Sequence, residues 1–317
     1  MNVLITCAGR RTTLVELFQD AVGPDGSVLA ADMDALAPAR QVADTGLGVP
    51  PVDDGAYPEV LLDIVRSHDV DLVIPTIDPE LSGLANLREP LAREGARAVV
   101  SKDALLNVAA DKWETTRHFQ NAGFRVPETW NVDGAIPSGI PDPAFVKPRR
   151  GSSSDGARAV ARAHLASALA SVDEPMIQEV VDAPEITVDA LFDFDGRLLH
   201  FVPRLRMRTL AGESIQGRTL PPERANPWLE DVLREVGGLG ARGPVTLQAF
   251  LTDGEPTLSE INPRFGGGFP LAHRAGAPYP EWIVAMHRGD SVAPRIGAYE
   301  AHLVMTRTLT EIYVRSG

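Results

Sequence analysis

Apolar and polar positions change period repeatedly along the first hundred residues. NVLITCAG, Asn2–Gly9, is a continuous apolar run that enters a turn, whereas TLVELFQDAV repeats its apolar residues at helical spacing. SVLAADMD predicts a second strand with acids at its end, YPEVLLDIVRSHD a second amphipathic helix, and VDLVIPT a third strand. LANLREPLAREG is helical again and ARAVVS predicts a fourth strand. Strands alternating with helices imply a parallel sheet with crossover helices, and this α/β unit is assigned to residues 1–103.

The pattern then changes to period two. DKWETTRHFQNAG predicts a helix in which Asp111 and Glu114 have capping-box spacing and Gly123 ends the run. PETWNV, PAFVKP, PMIQEVV, EITVDALFD and LLHFVPRLRMRT read as strands, with AHLASALASV and PWLEDVLREVGGLG as helices between strands. PVTLQAFLT and PTLSEIN, joined across Asp253-Gly254, predict a hairpin; PYPEWIVAMHRGD predicts a last helix and EAHLVMTRTL a last strand. Antiparallel signals dominate this α+β half, residues 104–317, with a smaller lobe at about 125–183.

Composition narrows the function classes. The chain has 317 residues and a formal charge of -13, with the acids dispersed. That balance argues against a general nucleic-acid binder, which needs a basic surface, but leaves room for a local basic cleft. Cys7 is the single cysteine, so no internal disulfide can form. The N-terminus lacks the signature of a signal peptide, and no stretch approaches about 18 consecutive apolar residues. The expectation is a cytoplasmic protein without a membrane partner, for which a homodimer is the commonest assembly.

Chemistry concentrates in a few stretches. In LSEINPRFGGG, Glu260 and Asn262 are two apart on a strand and share a face, with Arg264 beside them. An acid, an amide oxygen and a guanidinium suit a magnesium-bound polyphosphate. VTLQAF brings Gln248 toward both if the hairpin forms, or turns it to solvent if the face is reversed. In FVKPRRGSSSDG a strand delivers Lys147, then Arg149 and Arg150, into a Gly/Ser loop whose amides can wrap an anion; a solvated hairpin is the plainer alternative. The order differs from a P-loop, in which glycines precede the lysine. QEVV, Gln178–Val181, offers apolar faces and backbone edges to a planar base, or is an ordinary edge strand. The segment FVPRLRMRTLAGESIQGRT holds Arg204, Arg206, Arg208 and Arg218; the alternating Arg204, Arg206 and Arg208 make a basic stripe on one strand face suited to carboxylate or phosphate, or a solvated strand paired with surplus acids. CAGRR followed by Asp32 is a poor dinucleotide fingerprint, because only Gly9 stands where several glycines should. The histidines show no ligand spacing, and Cys7 reads as a small buried residue.

These parts, in this order, resemble the ATP-grasp carboxylate–amine ligases, above all the carbamoyl-phosphate synthase large-chain type, over almost the whole chain. The resemblance implies a Rossmann-like N-terminal lobe followed by a two-lobed ATP-grasp fold. It implies that ATP and Mg2+ are the cofactors. Lys112 and Lys147 would contact phosphates, with Ser153 and Ser154 on the covering loop. Glu179, Val180 and Val181 would hold the adenine edge and Glu185 the ribose. Glu260 and Asn262 would bind magnesium, with Gln248 in or near that shell. Gln248 departs from the acid common in the family, which weakens any second metal site. Lys147, Arg264 and Arg206 are the expected catalytic cations. The implied reaction phosphorylates a small-molecule carboxylate to an acylphosphate, which an amine then attacks. An ATP-grasp phosphotransferase and a non-catalytic nucleotide-binding protein are the alternatives. A single ATP-grasp unit is too little for a complete carbamoyl-phosphate synthase.

Overall fold

The computed structural model describes residues 1–132, 136–151, 156–210, 213–224, 226–252 and 256–314. The predicted change of period is a change of sheet. Five strands, β1 (Asn2–Thr6), β2 (Ser27–Asp32), β3 (Thr45–Gly48), β4 (Val70–Pro75) and β5 (Arg97–Ala98), form a parallel sheet in the order β3-β2-β1-β4-β5. The apolar runs are continuous because helices cover both faces. On one face, Val15 and Phe18 of the helix Thr12–Val22 pack with Phe265, Tyr279 and Ile283 from the far end of the chain. That shared core joins the N-terminal lobe to the rest. On the other face Leu61, Val65 and Leu84 pack against Leu4 and Val73.

Two antiparallel sheets follow. The smaller contains β6 (Thr129–Asn131), β7 (Ala144–Pro148), β8 (Arg158–Val160) and β9 (Pro175–Glu179), in the order β6-β9-β7-β8. The helix Leu165–Ala170 packs against it through Leu165, Ala168 and Leu169. The larger has the order β14-β13-β10-β11-β12-β15, built from β10 (Glu185–Phe192), β11 (Leu198–Leu210), β12 (Glu213–Thr219), β13 (Gly243–Phe250), β14 (Thr257–Asn262) and β15 (Val304–Thr306). One face of this sheet carries Ile186, Val188, Leu247 and Ile261, which bury against Leu229, Val232 and Val236 of the helix Asn226–Gly238.

Several expectations needed revision. ARAVVS yields only the two-residue β5, since the chain leaves the sheet edge and Lys102 N–H donates to Gly240 of the other lobe at 2.9 Å. The last strand shrinks to Val304–Thr306, and the helices Asp103–Ala110 and Phe269–Arg274 were not anticipated. The expected Asp253-Gly254 turn lies outside the described residues.

Candidate active site

The second face of the large sheet is polar and yet covered. Along β10, Thr187 and Asp189 are 4% and 2% exposed. Cross-strand register pairs Thr187 with Gln248 on one side and Arg204 on the other, Gln248 with Glu260, and Thr246 with Asn262. Period-two alternation therefore places Glu260, Asn262, Gln248 and Thr246 side by side. They line one wall of a cleft of about 270 Å³, whose opposite wall is the turn Cys7–Arg11 and the segment Thr76–Asp78 of the N-terminal lobe.

The arginines are held individually. Arg264 donates from Nε and Nη2 to Asp78 Oδ2 at 3.1 and 2.5 Å, and from Nη2 to Asn262 Oδ1 at 3.3 Å. Arg206 pairs with Glu185 and reaches Gln248 Oε1 at 3.3 Å. Arg204 Nε donates to Asp189 Oδ2 at 2.7 Å, with both side chains at most 3% exposed. The expected stripe of Arg204, Arg206 and Arg208 is broken. Arg208 is exposed beyond a register shift in β11, and Arg218 pairs with Leu205, which puts it on the opposite face. The glycine run has a packing reason. A Cβ on Gly268 would lie 2.4 Å from Arg204 Cζ, and one on Gly266 would lie 2.9 Å from Thr246 Oγ1 and 3.0 Å from Asp189 Oδ1. Only glycines let this backbone lie against the charged floor.

The small sheet presents the other half. Lys147 on β7 is 6% exposed. Burial pushes its ammonium down to about 8, against the attraction of Glu260 and Glu185 on the large sheet, while Lys112 pushes the same way as burial. Of the three cations ahead of the Gly/Ser loop, Arg149 and Arg150 are instead engaged by Asp111 at 2.5 and 3.3 Å. Asp111 is the N-cap of the helix Lys112–Asn121, accepting from Trp113 N–H at 2.9 Å. Burial raises its carboxyl, but Arg149 and that N–H outweigh it and hold it below the usual range. Lys112 Nζ donates to the Gly151 carbonyl at 2.7 Å. Ser153 and Ser154 lie outside the described residues. At the end of β9, Glu179 N–H donates to Glu128 O at 2.9 Å, and Glu179 Oε1 accepts from Glu128 N–H at 3.0 Å. This pairing fixes the end of β9 and leaves Val180 40% exposed and Val181 half-buried.

Among the described residues no group of three His, Cys, Asp or Glu side chains gathers as a cation site. Glu260 with the amide oxygens of Asn262 and Gln248 is a sparse oxygen set. It suits a hard cation that keeps waters and phosphate oxygens as its remaining ligands. Gln248 and Asn262 each accept from an arginine, so Glu260 is the strongest donor. Lys147 opposite Glu260 suits a phosphate chain between the sheets. The parts fit.

Sequence reasoning missed Asp78, Asp189 and Glu80. Glu80 is 2% exposed beneath the Cys7 turn, accepting from Tyr57 Oη at 2.6 Å and Thr6 Oγ1 at 2.8 Å. Cys7 itself is half-buried at a φ of 49° and lines the cleft. Asp189 had a signal, the alternation Glu185, Thr187, Asp189; Asp78 had none beyond the acid-rich start of a helix. The Asp32 carboxylate accepts from Gly9 N–H at 2.8 Å, an internal contact in place of a ribose.

A parallel α/β lobe, two antiparallel sheets and a charged cleft between that lobe and the large sheet define an architecture suited to a nucleotide. Residues 109–268 match the ATP-grasp domain model and residues 3–99 the PylC-like N-terminal domain model. The chain belongs to the ATP-grasp family. Its fold is similar to the biotin carboxylase domain of Hydrogenobacter thermophilus 2-oxoglutarate carboxylase, with a TM-score of 0.77 and 15% identity over 96% of this chain and 73% of that one. It is also similar to the Bacillus licheniformis L-amino acid ligase, with a TM-score of 0.70 and 19% identity over 90% of this chain and 74% of that one. A formate-dependent phosphoribosylglycinamide formyltransferase of Synechococcus sp. (strain CC9605) is 28% identical over 260 residues, 75% of this chain. The chain spans 63% of the length of the curated relatives it matches. No helix among the described residues is long and apolar enough to cross a membrane.

Proposed function

We propose that the protein is an ATP-dependent ligase that activates a small-molecule carboxylate as an acylphosphate and joins it to an amine, with Mg2+. Residues 1–103 would act as the supporting lobe and 104–317 as the nucleotide-clamping unit, its small lobe at about 125–183. The observation that carries this reading is the grouping of Glu260, Asn262 and Gln248 on one sheet face, with Arg206 and Arg264 beside them in the cleft. Lys112 and Lys147 would hold phosphate oxygens. Val180 would lie against the base, Glu179 and Val181 would meet its edge, and Glu185 would bind the ribose. Bound magnesium would screen the phosphate charge during transfer, held by Glu260 and Asn262 with Gln248 beside them. Arg264 and Arg206 would stabilise negative charge at the transferring group, and the covered floor would keep water from the acylphosphate.

The test is ADP release in a screen of carboxylates with and without amines, followed by hydroxylamine trapping. Carboxylate-dependent ADP with a trapped hydroxamate is the expected result. A stable phosphorylated product without any amine requirement would make the protein a phosphotransferase, and no nucleotide binding would remove both readings.

A further inference from the structure

Lys112 and Lys147 stand on different elements. Lys112 is the first residue of the helix Lys112–Asn121. That helix is rooted in the large-sheet lobe, because its Phe119 is fully buried in the core that holds Ile186, Val188, Leu247 and Ile261. Lys147 lies near the end of β7 in the small sheet. A phosphate chain can meet both lysines only if one element is fixed against the other.

Asp111 is the junction. Its side chain is buried, 1% exposed, and both carboxylate oxygens are engaged. Oδ1 accepts from Trp113 N–H at 2.9 Å and from Arg149 Nε at 3.2 Å. Oδ2 accepts from Arg149 Nη2 at 2.5 Å and from Arg150 Nη2 at 3.3 Å. The two-pronged contact with Arg149 fixes orientation as well as distance. Backbone bonds run beside it: Lys112 N–H donates to Arg149 O at 2.9 Å, and Arg149 N–H donates to Glu174 O at 3.0 Å. One carboxylate thus caps the helix and grips the chain two residues beyond Lys147. We propose that Asp111 is a positioning residue for the nucleotide: it holds Arg149, and with it the end of β7, against the start of the helix, and so sets Lys112 in register with Lys147. Arg149 is then a strut and not a phosphate ligand. This rests on the nucleotide half of the ligase reading above.

The test is equilibrium binding of Mg2+ with a non-hydrolysable ATP analogue to the full chain, at a temperature where circular dichroism shows each variant folded. Asp111→Asn keeps the size and a capping oxygen, since Asn caps about as well as Asp, and loses the charge that holds the guanidinium. It should bind the analogue about tenfold more weakly, as Lys112→Met should, the loss expected of one hydrogen bond to a charged group. In the Lys112→Met background Asp111→Asn should add little, because it acts through that lysine. A lowered Tm with wild-type affinity would leave Asp111 a purely structural cap and overturn the proposal. Tighter binding would make the freed Arg149 a phosphate ligand and overturn it, as would the full tenfold loss persisting in the Lys112→Met background. Arg149 is 24% exposed, so Arg149→Lys, which keeps the charge and loses the fork, should fold. If Asp111→Asn does not fold, Arg149→Lys decides: a loss of about threefold or more supports the strut, and wild-type affinity overturns it. Failure of the wild type to bind the analogue removes the ligase reading, whereas wild-type binding with unchanged affinity in Asp111→Asn removes only this inference.

Discussion

Replacing Lys147 by methionine should make the protein more stable and less able to bind nucleotide. The ammonium is buried, and burial holds it at about 8 where 10.5 is ordinary. That gap corresponds to about 3 kcal/mol at 1.36 kcal/mol per tenfold, the cost of keeping the charge inside even with Glu260 and Glu185 attracting it. The folded value lies below the unfolded one, so between about pH 8 and 10.4 the unfolded chain holds more protons, and stability rises with pH across that window. Below it the penalty is paid in full. Lys147→Met removes the charge and keeps most of the stem. In the absence of nucleotide it should gain up to about 3 kcal/mol at pH 7, a few degrees in Tm, and lose the wild-type rise above pH 8. Its affinity for Mg2+ with a non-hydrolysable ATP analogue should fall about 30-fold or more, for one lost charge-assisted contact. Wild-type affinity should itself decline above pH 8, by about tenfold at pH 9, as the ammonium deprotonates. Scanning calorimetry from pH 7 to 10 and equilibrium nucleotide binding measure both. A variant that is less stable than wild type at pH 7, with nucleotide affinity unchanged, would refute the assignment of this lysine as a strained phosphate ligand.

Glu260→Gln should lower ADP release on the order of 100-fold through loss of metal charge while Tm moves little; normal turnover at limiting magnesium contradicts the metal role. Gly268→Ala should destabilise by about 1–3 kcal/mol through overpacking, because its Cβ would meet a guanidinium at 2.4 Å; urea unfolding with a wild-type midpoint would show that the floor yields. Glu80 is raised above its ordinary value by burial, with Tyr57 and Thr6 opposing. Its contribution is therefore complete below the unfolded pKa and lost as pH rises through the folded one. Glu80→Gln should match wild type in acid and exceed it in alkali, and the reverse order of urea midpoints refutes a buried, proton-favouring carboxyl.

The sheets were legible because alternation is a local property. In EITVDALF the polar residues Glu185, Thr187 and Asp189 alternate, whereas Gln248 opposite Glu260 needs more than a hairpin: the register shifts between Gln248 and Ala249, and without that shift Gln248 would meet Ser259. The arginine stripe failed for the same reason. Alternation holds only while the register does, and β11 slips between Arg206 and Arg208. Nothing in LRMRT announces that slip. The pairing of Arg204 with Asp189 was hidden as well, since polar residues on a sheet face predict solvent unless something covers it. What covers this face is the glycine run and the N-terminal lobe, neither adjacent in sequence to β10.

Asp78 is the case in which sequence reasoning has least purchase. It lies 186 positions from Arg264 and in a different lobe, yet it accepts two of that arginine's hydrogen bonds. Arg264 in turn donates to Asn262 Oδ1 at 3.3 Å. One carboxylate of the N-terminal lobe therefore orients the arginine, and through it an amide oxygen beside Glu260. A pair at 13% and 24% exposure is only partly screened, so separating the lobes would release the arginine and leave Asn262 free to turn. The segment 109–268 that matches the ATP-grasp domain holds Gln248, Glu260 and Asn262 but not the carboxylate that orients the guanidinium of Arg264. In this chain the parallel lobe is thus a wall of the site as well as its support.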